Sequence, residues 1–201
     1  MTEWEGKEFH DETFSGDDLT GFTMRDCRFF NCNFRGVNLS EAATEKCLFA
    51  GCDFSNATMN GSMHDGSAFT NCIFKGASLF VSRFVRCKMT GSDLTETNVG
   101  GAHFEGGDWS YANLRMLDLK AQKWRGVQLK EADLYGANLE KTDLRDADLT
   151  HAILDRARLK GADLRGAQTE GVNWTAVDMA GVRIDIGQAL EFARAFGAKV
   201  E

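Results

Sequence analysis

A large apolar residue recurs at every fifth position of this chain. Stepping by five from Trp4 to Ile184 crosses 37 positions with no insertion or deletion, and 34 of them hold Leu, Phe, Met, Trp, Ile or Val. The three exceptions are Thr44, His64 and Thr169. The pattern is most open from Ala132 onward, where ADLYG, ANLEK, TDLRD and ADLTH follow one another. Two residues before each centre stands a small residue. Early in the chain it is Cys27, Cys32, Cys47, Cys52, Cys72 and Cys87; later it is Ala112, Ala132, Ala137, Ala147, Ala152, Ala157, Ala162 and Ala167. A polar residue, often Asp or Asn, lies between the two, and Gly is frequent two places after the centre. A strict period of five matches neither the helical 3.6 nor the strand period of two. It matches a coil that turns a corner once per unit, with the small and large residues inward and the other three outward.

This A-[DN]-L-x-x pattern resembles that of the pentapeptide-repeat family. The resemblance implies an all-β fold, a right-handed quadrilateral parallel β-helix in which four units of the repeat make one square coil. At the usual strand spacing of about 4.8 Å, about nine coils would form a rod roughly 44 Å long. Residues 1–184 are expected to form this solenoid. Residues one coil apart then stack, which places Phe9, Phe29, Phe49 and Phe69 in one ladder and Phe14, Phe34, Phe54 and Phe74 in the next, with mainly leucine in both columns from about Leu94 onward.

An open solenoid end exposes core and strand edges, so both ends need covers. Trp4 is large enough to close the first. After Ile184 a helix signal begins, with Asp185 as N-cap, Gln188 three places on, and Gly197 as a stop. Residues 185–201 are therefore expected to be a capping and dimerisation helix with its tail. Ile186, Leu190 and Ala193 fall on one side of it, and Ala189, Phe192 and Phe196 on an overlapping one. One side can plug the last coil and leave the other for a second copy, which makes a symmetric homodimer the expected assembly.

Composition sharpens this picture. Fifteen phenylalanines fill the ladders; proline is wholly absent because each unit needs its backbone donors, and 21 glycines are expected at corners where positive φ excludes a Cβ. The six cysteines invite a metal or disulfide reading. Stacked thiols about 4.8 Å apart instead suit small buried hydrophobes in a reducing compartment. Thr44 and His64 share one column on successive coils, so either they hydrogen-bond inside the rod or that face bulges into a polar patch.

The net charge of −7 is concentrated at one end: residues 1–20 hold seven acidic residues against Lys7, a net of −6. A nucleic-acid binder would show a basic stripe, so direct DNA binding is disfavoured. No apolar run is long enough to span a membrane and the first ten residues have no secretory pattern, so the cytoplasm is the expected location. There is no phosphate loop, no paired metal-spaced histidines and no catalytic constellation, so neither an enzyme nor a cofactor is expected. Outward apolar residues Phe80, Val81 and Val85, and the row Asp53, Asp93 and Asp133, are candidate partner surfaces.

The acidic start EWEGKEF, the unbroken register and the tail GVRIDIGQALEFARAFG are similar to the mycobacterial fluoroquinolone-resistance branch of that family. The resemblance implies a dimeric rod that imitates duplex DNA, engages DNA gyrase and modulates or protects it against quinolone-type poisons. The alternative is a non-enzymatic scaffold or adaptor for another protein, since fold does not fix function.

Overall fold

The computed structural model describes residues 3–199; Met1, Thr2, Val200 and Glu201 lie outside the described residues. The chain is a parallel β-solenoid closed by one C-terminal helix. One sheet contains β1 (Glu3–Glu5), β3 (Thr23–Arg25), β5 (Ala43–Glu45), β7 (Met63–Asp65), β9 (Arg83–Val85) and β10 (His103–Glu105), in that order. The other contains β2 (Glu8–His10), β4 (Arg28–Phe30), β6 (Leu48–Ala50) and β8 (Ala68–Thr70). Every strand pairs with its equivalent on the adjacent coil, as in Phe9↔Phe29 and Thr44↔His64. Single bridges carry the same register to Asp163↔Arg183, with one exception at Glu105↔Lys123.

The inward residues are packed as the period requires. Phe29 stacks on Phe49 at 4.6 Å and 1°, and Phe34 on Phe54 at 4.7 Å and 5°. Rings of neighbouring columns meet edge-on, as Phe49 does Phe54 at 5.5 Å. Offset stacks within columns and edge contacts between them satisfy the ring quadrupoles in both directions. All six cysteines are free and buried in the core. Burial pushes the Cys47 thiol up to about 11 and Cys87 up to about 12, so both stay protonated at neutral pH.

One expectation fails at the corners. The residue two after nearly every centre does take a positive φ, but glycine is not required there: Asp26, Asn56, Lys46, Arg86, Met116 and His151 all adopt values between 50° and 61°. The turn bond from the residue three after the centre compensates, as from Val37 N–H to Phe34 O at 3.2 Å. A non-glycine side chain there points to open solvent, so only the backbone strain, about 1 kcal/mol per corner, opposes it.

The three exceptions in the register are satisfied internally. Thr44 and His64 are bonded side chain to side chain within the rod, so the face does not bulge. Thr169 donates its hydroxyl to Glu191 of the helix at 3.0 Å.

That helix, α1 (Ile186–Ala195), starts as its residues dictate. The Asp185 carboxylate accepts from Gln188 N–H at 3.0 Å, while Gln188 Oε1 accepts from Asp185 N–H at 3.0 Å. Gln188 Nε2 also donates to Leu164 O and Ala167 O, two carbonyls of the last coil. Phe192 lies edge-on to Trp174 at 4.6 Å and seals the core. Phe192, expected at the interface, is instead the plug, because a ring that covers the last coil cannot also face a second chain. No helix among the described residues is long and apolar enough to cross a membrane.

Candidate functional site

The outward residues divide the rod into three displays. The first is the corner after Leu79. Phe80 and Val81 are each 51% exposed, and Val81 holds a φ of 59°. That conformation is a real outlier for a β-branched residue, whose second γ-carbon crowds the backbone in the left-handed region. The corners on the next coil are Gly100 and Gly101: a Cβ at Gly100 would sit 3.4 Å from the Phe80 ring, and one at Gly101 3.4 Å from Val81 Cγ2. The two glycines thus leave the apolar pair uncovered on that side. Val85 is half-buried on the adjoining sheet face in β9, one unit beyond, with exposed Met63 and Arg83 on the same face. Phe80 and Val81 form one corner patch, and Val85 belongs to the neighbouring face.

The second display is the acidic row. Asp53, Asp93 and Asp133 do share a column, but the bridges run Asn33, Asp53, Ile73, Asp93, Asn113, Asp133, Ile153, so the carboxylates alternate with uncharged residues. Each turns one oxygen onto its own backbone, to the N–H of Ser55, Thr95 and Tyr135 respectively. These bonds lock the polar site of each repeat, which is why that site favours Asp and Asn. The second oxygen of Asp53 accepts from Arg35 at 2.9 Å, and that of Asp133 from Arg115 at 2.9 Å. Partial burial is the largest single influence on the Asp53 carboxyl and pushes it up, but the hydrogen bonds from Ser55 and Arg35 together outweigh it and hold the group below its ordinary range. Two of the three charges are thus already compensated. Each pair joins the residue after one centre to the residue before the centre directly above it, a relation readable from the sequence once the coil length is known.

The same geometry places Arg115 over the Tyr135 ring at 4.3 Å, with Arg156 at 5.6 Å from its centroid. Further along, Arg145 pairs with Asp143 and Arg165 with Asp163, each through two nitrogens. The Arg165 and Arg183 guanidiniums beside Asp163 hold its carboxyl down to about 2. Arginine and carboxylate interleave along the middle and C-terminal faces, leaving the N-terminal end as the acidic region. There too Glu8 meets Arg28 at 3.8 Å and Glu3 meets Arg25 at 3.7 Å, both exposed and weak.

The third display is the outer side of α1. Ile186 is 84%, Leu190 41% and Phe196 64% exposed, and Ala189 is exposed beside them, while Ala193 is half-buried. Of the six residues expected at a dimer interface, Phe192 alone is fully enclosed in its own chain. Among the described residues no group of three His, Cys, Asp or Glu side chains is placed to hold a metal ion.

A family model described as pentapeptide repeats matches the chain in eight copies, with residues 13–43, 32–63, 112–150, 128–166 and 142–181 among the matched stretches. No curated protein matches it. Among solved structures it is similar to QnrB1, described as a plasmid-mediated fluoroquinolone resistance protein. A trypsin-treated single-residue variant of QnrB1 aligns with a TM-score of 0.86 at 22% identity, over 99% of this chain and 100% of that one. The full-length form aligns at 0.70 and 22%, over 98% and 100%. At that identity the likeness is one of fold.

Proposed function

Because the chain belongs to the pentapeptide-repeat family, we propose that it acts without catalysis, as a rod-shaped imitation of duplex DNA that binds DNA gyrase, modulates it and shields it from quinolone-type poisons. The observation that carries this reading is the shared fold: QnrB1, a fluoroquinolone resistance protein, aligns with 99% of this chain. A filled core leaves the outer shape and charge to do the work, and the acidic N-terminal end supplies the charge. Pairing of two rods through Ile186, Ala189, Leu190 and Phe196 would lengthen the rod and set an acidic end at each extremity. Six buried, unpaired thiols are consistent with a reducing cytoplasm.

One observation favours a second reading, an adaptor for another protein: Arg35 and Arg115 neutralise two carboxylates of the acidic row, and the most apolar outward corner, Phe80 and Val81, has no counterpart in DNA. Binding to immobilised gyrase in the presence of linear duplex separates the two. A DNA imitation is displaced by the duplex; an adaptor is indifferent to it or does not bind.

A further inference from the structure

Along most of the rod, consecutive coils are joined on all four faces by the same backbone bonds. Between the coil centred on Leu94, Val99, Phe104 and Trp109 and its successor, two faces keep them. Leu94 N–H donates to Asn113 O at 3.0 Å and Asn113 N–H to Ser92 O at 2.9 Å; Trp109 N–H donates to Gln128 O at 2.8 Å and Gln128 N–H to Gly107 O at 3.2 Å. On the other two faces the set is missing. Among the described residues the regular bonds from Glu96, Val99 and Gly101, and from Asp118 on the facing coil, are absent, and Gly106 and Lys123 keep only a weak, displaced pairing. The bridge register slips here as well: Glu105 pairs with Lys123, where the regular spacing would bring it opposite Arg125.

A side chain fills part of the gap. Gln122 donates through Nε2 to Ala102 O at 2.9 Å and accepts at Oε1 from Phe104 N–H at 3.0 Å. Its carboxamide stands where a backbone peptide of the ladder would be.

The cause is volume. The small inward site holds Ala, Ser, Cys or Thr in most units, but Leu117, Gln122 and Val127 occupy it in three consecutive ones, alongside Trp109 and Trp124, and all five are buried. A close-packed core cannot absorb such an excess in place, and the ladder bonds at this level are what give way. On the closed side the reverse holds: a Cβ at Gly107 would lie 2.1 Å from Cys87 O, so the chain there is as near the coil below as a glycine permits. Four glycines, Gly100, Gly101, Gly106 and Gly107, fall in this one coil. Trp124 Nε1, buried at the same level, has no hydrogen-bond partner.

We propose that this boundary is a joint. The Phe-cored segment and the Leu-cored segment as far as the coil centred on Leu154, Leu159, Leu164 and Thr169 each keep the full set of bonds and bend relative to one another about the two bonded faces, as a book opens about its spine, and the Gln122 carboxamide is the latch on the open side. Segments with few cross-bonds are those that open at least cost. The Phe80–Val81 corner rests on Gly100 and Gly101, at the lip of the opening, so a partner seated there touches the coil that moves. The joint does not depend on who that partner is.

Spin-label distance distributions on the full chain test it. Asp26→Cys/Arg86→Cys and Arg86→Cys/Asp146→Cys are pairs of equal separation in the same corner column, the second spanning the joint. The spanning pair is expected to be about twice as broad as the control, and Leu117→Ala/Val127→Ala, which restores small residues and leaves the Gln122 latch in place, is expected to narrow it to the control width. Equal widths in the parent chain, or no narrowing in a folded double variant, would overturn the proposal. Should that variant fail to fold, hydrogen exchange on the unaltered chain decides. Amides of Gly101, Gly106 and Lys123 should exchange much faster than those of Gly61, Gly66 and Arg83 at the same places two coils earlier; equal protection overturns the joint.

Discussion

Thr44 Oγ1 lies 2.8 Å from His64 Nδ1, one coil above it inside the rod. Four more contacts settle the protons. Ser62 Oγ donates to Met59 O at 2.7 Å, so it accepts from His64 Nε2–H at 2.9 Å. His64 Nδ1 is then the acceptor and Thr44 the donor. Ser67 Oγ, 3.0 Å from Thr44 Oγ1, accepts from Cys47 N–H at 3.1 Å. Each member of the chain is satisfied with the imidazole neutral.

That neutrality sets a pH dependence. Burial pushes the His64 pKa down to about 3, against about 6.5 in an unfolded chain. The unfolded chain therefore binds a proton that the folded chain refuses. His64's contribution is whole above about pH 6.5 and is lost as pH falls toward 3, at up to about 1.4 kcal/mol per pH unit. His64→Phe, which continues the aromatic column of Phe84, removes this term. Urea unfolding at pH 7 and 4.5 should show the variant losing about 2 kcal/mol less than the parent chain between the two.

Gly106 and Gly107 both have positive φ, but only the second faces backbone, Cys87 O. Gly106→Ala should cost about 1 kcal/mol, the ordinary strain of that conformation. Gly107→Ala must also displace a coil and should cost several-fold more, or prevent folding. Thermal unfolding of the two variants side by side checks the difference.

Val81→Gly relieves the strain at its corner and should stabilise the chain by about 1 kcal/mol. If the corner is a partner contact, the same change should weaken the effect on gyrase. A parallel measurement of melting temperature and gyrase activity shows whether stability and binding move in opposite directions.

Leu190→Glu and Phe196→Glu place charges on the outer side of α1 without touching the Gln188 and Phe192 plug. Light scattering after size exclusion should show a dimer for the parent chain and a monomer for the double variant, with unfolding little changed. A monomeric parent at micromolar concentration removes the dimer from the account.

Much of this architecture is legible in residue order. The five-residue period predicts which residues stack, and the Phe29–Phe49 and Phe34–Phe54 ladders follow it; the Asp185–Gln188 capping box is equally plain. What escapes depends on sums over a coil or on contacts between coils. Leu117, Gln122 and Val127 each look tolerable alone, and only their combined volume beside two tryptophans parts the ladder. Asp53 looks like a free charge until Arg35, on the preceding coil, is placed beneath it. Phe192 and Phe196 are equivalent on a helical projection; which one plugs the core depends on how the last coil ends. Glycine is overread at corners because backbone strain alone, without side-chain crowding, is small enough for most residues to bear.

On the proposed reading this rod acts on DNA gyrase. Supercoiling of relaxed plasmid by gyrase, measured with and without ciprofloxacin across a titration of the purified protein into the micromolar range, tests it most directly. A rod that engages gyrase gives a dose-dependent change in supercoiling and less drug-induced cleavage or inhibition when it is present. Supercoiling and drug sensitivity both unchanged across the titration would contradict it and leave the adaptor reading in its place.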